Sequence, residues 1–254
     1  MYKEEIDKVS ETAFKKVDLL NNNFIGYFIS AILAGVYLAL GVTFAFTVGG
    51  MVHSVPGYKL IIAICFTSAL SFVVFGGSEL FTGNIFVMSV GLNKKTIKFK
   101  DLLKLWFVCY LGNLVGSLII AYLIYLGGFL KPGDISAYFV EAANAKIGLT
   151  SMEIFFRSIL CNVLVCLATW CGYRCKSETG YLIMSFWCII AFVTVGFEHS
   201  IANMSLFTMA MLVPDSNITI SGILHNIPIA TIGNIIGGVV GIAIPYLIIS
   251  KKYK

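Results

Sequence analysis

The sequence predicts an all-α integral membrane protein in which six transmembrane helices form two inverted three-helix repeats, with the second and fifth spans broken. Three observations predict it. The first is composition: 58% of the 254 residues are hydrophobic and 12% charged, with a mean hydropathy of +0.90, more apolar surface than one soluble core hides. The second is a set of charge-free stretches, Leu19 to Tyr58, Leu60 to Ser78, Leu105 to Leu130, Ser158 to Tyr173, Thr179 to Phe197 and Ser216 to Ser250. The third is a repeated motif, Gly77-Ser78-Glu79-Leu80-Phe81-Thr82-Gly83-Asn84 and Gly196-Phe197-Glu198-His199-Ser200-Ile201-Ala202-Asn203, which carries Gly, Glu and Asn at the same offsets.

A second pair lies at nearly the same separation, about 120 residues, with Gly112-Asn113-Leu114-Val115-Gly116 answered by Gly233-Asn234-Ile235-Ile236-Gly237. Two matches at nearly one spacing are the mark of a tandem duplication. A bilayer-spanning helix needs about 20 apolar residues. The spans are therefore predicted near Phe24 to Val52, Leu60 to Gly91, Leu103 to Leu130, Met152 to Gly172, Gly180 to Leu212 and Leu224 to Ser250. The second and fifth are too long and too interrupted to be simple helices. Residues 24–130 then form the first repeat and 151–250 the second, within one channel domain covering 1–254.

Ahead of the spans, Ile6, Val9, Ala13, Val17 and Leu20 recur at helical spacing among Lys, Glu and Asp. This pattern predicts an amphipathic helix over 1–22 lying on the cytoplasmic membrane surface rather than a cleaved signal peptide. Loops rich in Lys and Arg stay in the cytoplasm. Fourteen of the eighteen basic residues, including Lys94, Lys95, Lys98, Lys100, Lys104, Arg174, Lys176, Lys251, Lys252 and Lys254, fall on the side of the termini, against Lys59, Lys131, Lys146 and Arg157 on the other. Both termini are expected in the cytoplasm, in a multi-pass protein of the cytoplasmic membrane. Three spans per half make the halves enter in opposite directions.

The seven cysteines sit mostly within spans, no Cys-x-x-Cys occurs, and His53, His199 and His225 are far apart. Neither a zinc nor a haem site is supported, and no cofactor, metal or nucleic-acid partner is expected. A membrane enzyme or redox protein would need clustered ligands or a catalytic pair.

Backbone released at a break inside a bilayer must be satisfied by protein or a water-filled cavity. Breaks at Gly76-Gly77-Ser78 and around Val195-Gly196-Phe197 would face each other, each starting a helix whose positive end favours anions. Glu79 and Glu198 then read as structural groups at the breaks, together with Asn84 and Asn203. The carboxylates would accept hydrogen bonds from unwound backbone or stay protonated in a dry site. His199 and Thr82 occupy neighbouring places in the two copies, and an ionisable group at this depth marks function. His199 offers a hydrogen bond or a proton to a passing anion, and Thr82 a neutral hydroxyl opposite. Asn162 could fix the orientation of the imidazole, whereas Asn113 and Asn234 read as scaffold bonding across helices.

The two motifs, with Cys161-Asn162-Val163-Leu164-Val165-Cys166-Leu167-Ala168, Glu198-His199-Ser200-Ile201-Ala202-Asn203-Met204 and Thr231-Ile232-Gly233-Asn234-Ile235-Ile236-Gly237-Gly238, resemble the formate/nitrite transporter family over nearly the whole chain, and within it the hydrosulfide channels of clostridia most. The resemblance implies an aquaporin-like protomer, a homopentamer with one pore per protomer, and His199 and Thr82 facing the pore centre with Asn162 near His199. It implies constrictions from Leu70, Leu80, Phe81, Phe66 and Phe192, and Lys146 attracting anions to the outer vestibule. The function it implies is a channel for hydrosulfide, formate or nitrite. A neutral-solute pore of the water or glycerol type shares the architecture, but its paired Asn-Pro-Ala boxes are absent.

Overall fold

The computed structural model describes residues 1–251, so Lys252 and Lys254 of the charge count lie outside the described residues. Helix α1 (Lys3–Asn22) precedes six helical runs long and apolar enough to cross a membrane. These are α2 (Phe24–Val52), α3 (Tyr58–Phe75), α5 (Phe99–Leu126), α7 (Ser151–Arg174), α8 (Glu178–Val195) and a final run of α10 (Ile220–Gly238), a π turn (Val239–Ala243) and α11 (Ile244–Ser250). Three shorter helices interleave with them: α4 (Phe81–Asn93) after α3, α6 (Asp134–Ile147) before α7, and α9 (Ser200–Leu212) after α8. The π turn lies next to Pro245, which has no N–H to give to the turn before it.

The spans touch one another in a pattern that pairs the two halves. In the first half α2 packs on α5 and α3; in the second α7 packs on α10 and α8; α3 and α8 meet between the halves. Small residues set the closest crossings. A Cβ on Gly116 would run into the carbonyl oxygen of Ile32, one on Gly35 into that of Asn113, and one on Gly237 into that of Ile159. Apolar lipid offers little drive to press helices together, so backbone-to-backbone approach and van der Waals contact do the holding. The glycines of the second repeated motif are thus packing residues.

Helix α1 uses its apolar stripe differently from the expectation of a membrane-surface helix. Ile6, Val9, Ala13, Val17 and Leu20 are buried against the protein, on α4 and α2 with smaller contributions from α5, α7 and α11. Covering the stripe with protein leaves it nothing to offer lipid. Polar tethers fix the helix along its length: Arg174 to Glu5 at 2.6 Å, Lys94 to Asp7 at 2.8 Å, and Lys104 to Asn21 at 2.8 Å. The Lys94 hydrogen bond holds the Asp7 carboxyl below the usual carboxylate range, against some desolvation. A depressed carboxylate contributes above its unfolded pKa and loses that contribution as acid protonates it, so this tether is intact at neutral pH.

Gly116→Ala and Gly237→Ala should each destabilise the protein by about 1–3 kcal/mol, the cost of overpacking against backbone that cannot retreat. Thermal unfolding of the detergent-solubilised protein checks this.

Candidate functional site

The helices stop where the repeated motif begins. Gly77 takes φ +65° and Gly196 φ +81°, a left-handed conformation open to glycine without steric cost. Ser78, Glu79 and Leu80 run non-helically into α4, and Phe197, Glu198 and His199 into α9. Two asparagines close the gaps. Asn113 of α5 donates to the carbonyls of Ala31 (2.8 Å) and Glu79 (2.9 Å) and accepts from the amide of Phe81 (2.9 Å). Asn234 of α10 donates to Ser158 (2.8 Å) and Glu198 (3.0 Å) and accepts from Ser200 (2.9 Å). Both side chains are fully buried and use all three bonds on backbone of the interrupted strand of chain and its neighbour. They are scaffold bonding across helices, as the sequence suggested, and they also cap the new helices.

That finding corrects the role expected of Glu79 and Glu198, whose carboxylates bond side chains rather than unwound backbone and face ammonium groups rather than a dry, uncharged site. Glu79 is held by Lys16 of α1, by Asn84 at 2.8 Å and by Tyr27 at 3.3 Å. Glu198 is held by Lys146 of α6 at 2.7 Å, by Asn203 at 2.6 Å and by Asn226 at 3.2 Å. A cation and amide donors around a buried carboxylate offset the cost of its burial. Each peripheral helix thus delivers one lysine to one break: α1 packs on α4, and α6 on α9.

His199 is the N-cap of α9. Its Nδ1 accepts the amide N–H of Ala202 at 3.1 Å, so in this arrangement the neutral ring carries its proton on Nε2. Nε2 faces the Thr82 hydroxyl at 3.0 Å, bringing the two predicted residues together across the halves. Phe192 stacks on the imidazole, with centroids 6.1 Å apart and planes 19° from parallel, and Phe66 meets Phe192 edge-on at 6.1 Å. Asn162 is not the ring's partner. Its Nδ2 donates to the carbonyls of Asn234 (2.7 Å) and Thr82 (3.3 Å), because two carbonyls converge on that amide where the halves meet.

Two cavities approach this pair from opposite ends of α3 and α7. One, of about 390 Å³, is lined by Phe66, Phe192, His199, Ala202, Asn203 and Glu198, with the charged residues Lys59, Glu141, Lys146 and Arg157 also on its wall. The other, of about 320 Å³, is lined by Leu70, Leu80, Gly83, Asn84, Thr169 and Tyr173, with Lys16 and Thr12 from α1. No residue lines both, and Thr82 is fully buried between them. Phe81, expected at a constriction, packs instead on Tyr110 and Trp106 of α5, at centroid distances of 5.1 and 6.2 Å. As the first residue of α4 it points to the flanking span, which Asn113 holds against that helix end.

A sequence profile described as formate/nitrite transporter matches residues 3–248. The chain belongs to the formate/nitrite transporter family. The nitrite transporter NirC of Salmonella typhimurium is 36% identical, over 99% of this chain and 93% of that one. The formate channel FocA of Escherichia coli K12 is 32% identical, over 87% and 85%. Among solved structures, one titled FNT family ion channel superposes with TM-score 0.93 at 35% identity, over 98% of this chain and 99% of that chain. Another, titled pentameric formate channel with formate bound, gives 0.79 at 27%, over 95% and 99%. With its six membrane-crossing candidates, the chain is a multi-pass membrane protein of this family of transporters and channels.

Sequence reasoning missed Lys16, Tyr27 and Asn226 in this family member. Lys16 had a signal: it lies three residues after Ala13 and four before Leu20, on the face that α1 buries. Lys146 stands likewise three residues after buried Ala143.

Asn113→Ala and Asn234→Ala should each cost about 2–4 kcal/mol, because each leaves a buried amide and carbonyls unpaired. Equal losses of thermal stability for the two variants would show that the breaks are equivalent; a negligible loss for either would remove its capping role.

Proposed function

We propose that the chain is a channel for small monovalent weak-acid anions, formate and nitrite foremost, with hydrosulfide in the same chemical class. The observation that carries the reading is the 3.0 Å contact between His199 and Thr82, placed between two cavities that enter from opposite ends. Formate and nitrite come from the names of the family relatives NirC and FocA. In this reading the halves 24–130 and 151–250 are inverted repeats, residues 1–22 form a helix on the cytoplasmic side, and both termini face the cytoplasm. The protein works in the cytoplasmic membrane as a homopentamer with a pore in each protomer, an assembly supported by the pentameric title of one structural neighbour.

The mechanism follows from cost. Moving a bare anion past Phe66, Phe192, Leu70 and Leu80 forfeits its hydration, a penalty on the order of tens of kcal/mol for an isolated ion. A weak acid escapes most of it by crossing the apolar stretch protonated, which chloride cannot do. Since the Nδ1 of His199 is committed to the Ala202 amide, the ring serves as a neutral Nε2–H donor beside the Thr82 hydroxyl. The proton that neutralises the permeant then comes from hydronium in the vestibule, which is left as water, and His199 and Thr82 supply hydrogen bonds at the narrowest point. Asn162 supports them through the Thr82 carbonyl. Lys146 acts as the counter-charge of Glu198 at the vestibule floor.

His199→Asn isolates the role of the ring, because Asn is itself a favoured N-cap and can keep the Ala202 bond. Its melting temperature should stay within a few degrees of the parent, while formate and nitrite uptake into proteoliposomes falls about tenfold or more, the scale of one lost hydrogen-bond donor in a dry site. Thr82→Val should do the same and Thr82→Ser should retain flux. Uptake by the parent should rise as pH is lowered and exclude chloride. Chloride flux equal to formate flux, or unimpaired transport by His199→Asn, would overturn the reading.

A further inference from the structure

The cavity on the Lys146 side is lined by three cations, Lys59, Lys146 and Arg157, and two carboxylates, Glu141 and Glu198. Lys146 and Glu198 cancel one another at 2.7 Å, so Lys146 is not the free positive charge of this vestibule. Lys59 is solvent-exposed with no ion pair among the described residues. Arg157 is different from both. Its side chain is 40% exposed, and its carboxylate neighbour Glu153 reaches one guanidinium nitrogen only at 4.0 Å. Glu153 is turned the other way: its second carboxylate oxygen accepts the Thr150 amide and hydroxyl, both at 2.8 Å, in the capping box of α7. The main chain of Arg157 is tied into the break, where its carbonyl accepts the amide of Glu198 at 3.4 Å. A guanidinium with uncommitted donors therefore stands at the wall of the cavity, on the same helix as Asn162 and beside Val195, Gly196 and Phe197.

We propose that Arg157 is a docking station for planar anions with two oxygens, and that it makes this vestibule discriminate by shape before the permeant reaches His199. The inference rests on the anion-channel reading above. A guanidinium presents parallel N–H donors in a rigid plane, matching the O–C–O edge of formate or the O–N–O edge of nitrite with two hydrogen bonds. Hydrosulfide and chloride have one acceptor centre and gain only the charge. Lys59, a mobile ammonium, attracts every anion alike.

The test compares Arg157→Lys, which keeps the charge and loses the fork, with Arg157→Gln and Lys59→Gln, which lose charge. Initial uptake of formate, nitrite and hydrosulfide is measured in proteoliposomes at low ionic strength. Arg157→Lys should raise the half-saturating concentration of formate and nitrite about fivefold, the upper range for a partly exposed ion pair, with maximal rates and hydrosulfide uptake unchanged. Lys59→Gln should weaken uptake of all three by one common factor, and Arg157→Gln should weaken all three with formate and nitrite hit hardest. Unchanged half-saturation for formate and nitrite in Arg157→Lys, or an equal shift for hydrosulfide, overturns the station. Line broadening of isotopically labelled formate by the detergent-solubilised protein reads the station without transport. Broadening by the parent that Arg157→Lys lacks supports it, even if transport of formate itself fails and the functional reading falls; broadening independent of Arg157 overturns it.

Discussion

A helix that stops inside an apolar environment releases amides and carbonyls that lipid cannot satisfy, and everything else in this protein depends on how Asn113 and Asn234 meet that demand. Each takes one amide at the start of a new helix and gives hydrogen bonds to the preceding carbonyl and to a neighbouring span. Both lie on the third span of their half, beside glycines that bring backbones into contact. The glycines are thus what puts the amide within reach. Close packing and polar satisfaction are one device here, and the left-handed Gly77 and Gly196 set where it is used.

The second constraint is charge. Two carboxylates lie at the breaks, and each is met by a lysine from a peripheral helix and by amide donors. A lone buried carboxylate would be prohibitive, and a lone buried ammonium equally so. Pairing them lets a carboxylate lie at each break with its counter-charge beside it. It also gives α1 and α6 comparable places, α1 against α4 and α6 against α9, although they differ in length and composition.

Much of this was legible in the residues. Phe24 to Val52 was bounded to the residue, because an uninterrupted apolar run followed by Pro56-Gly57 has one reading. The non-helical stretches 78–80 and 197–199 between successive helices fall where the repeated motif, with its leading glycine, pointed. His199 and Thr82 were paired by their neighbouring places in the two copies of the motif. The partners of Glu79 and Glu198 were not legible, since Lys16 and Lys146 lie outside the repeated motifs and a lysine beside an apolar stripe usually reads as solvated. The constriction role of Phe81 came from the family resemblance, and spacing cannot check which way the first residue of a helix points; Asn162 was read as a support of the imidazole, but two converging carbonyls take its amide. The stripe of α1 had the right period and the wrong neighbour: amphipathicity shows that a face is buried and says nothing of whether lipid or protein covers it.

One local feature limits how the proposed channel can work. The imidazole of His199 is anchored at Nδ1 by the amide of Ala202 and opposed at Nε2 by Thr82, with the Phe192 ring near-parallel to it at 6.1 Å. Any swing of the ring therefore uncaps a helix. In the proposed channel, a filter built this way is a fixed fitting rather than a hinged one, because its ring is bonded on both nitrogens.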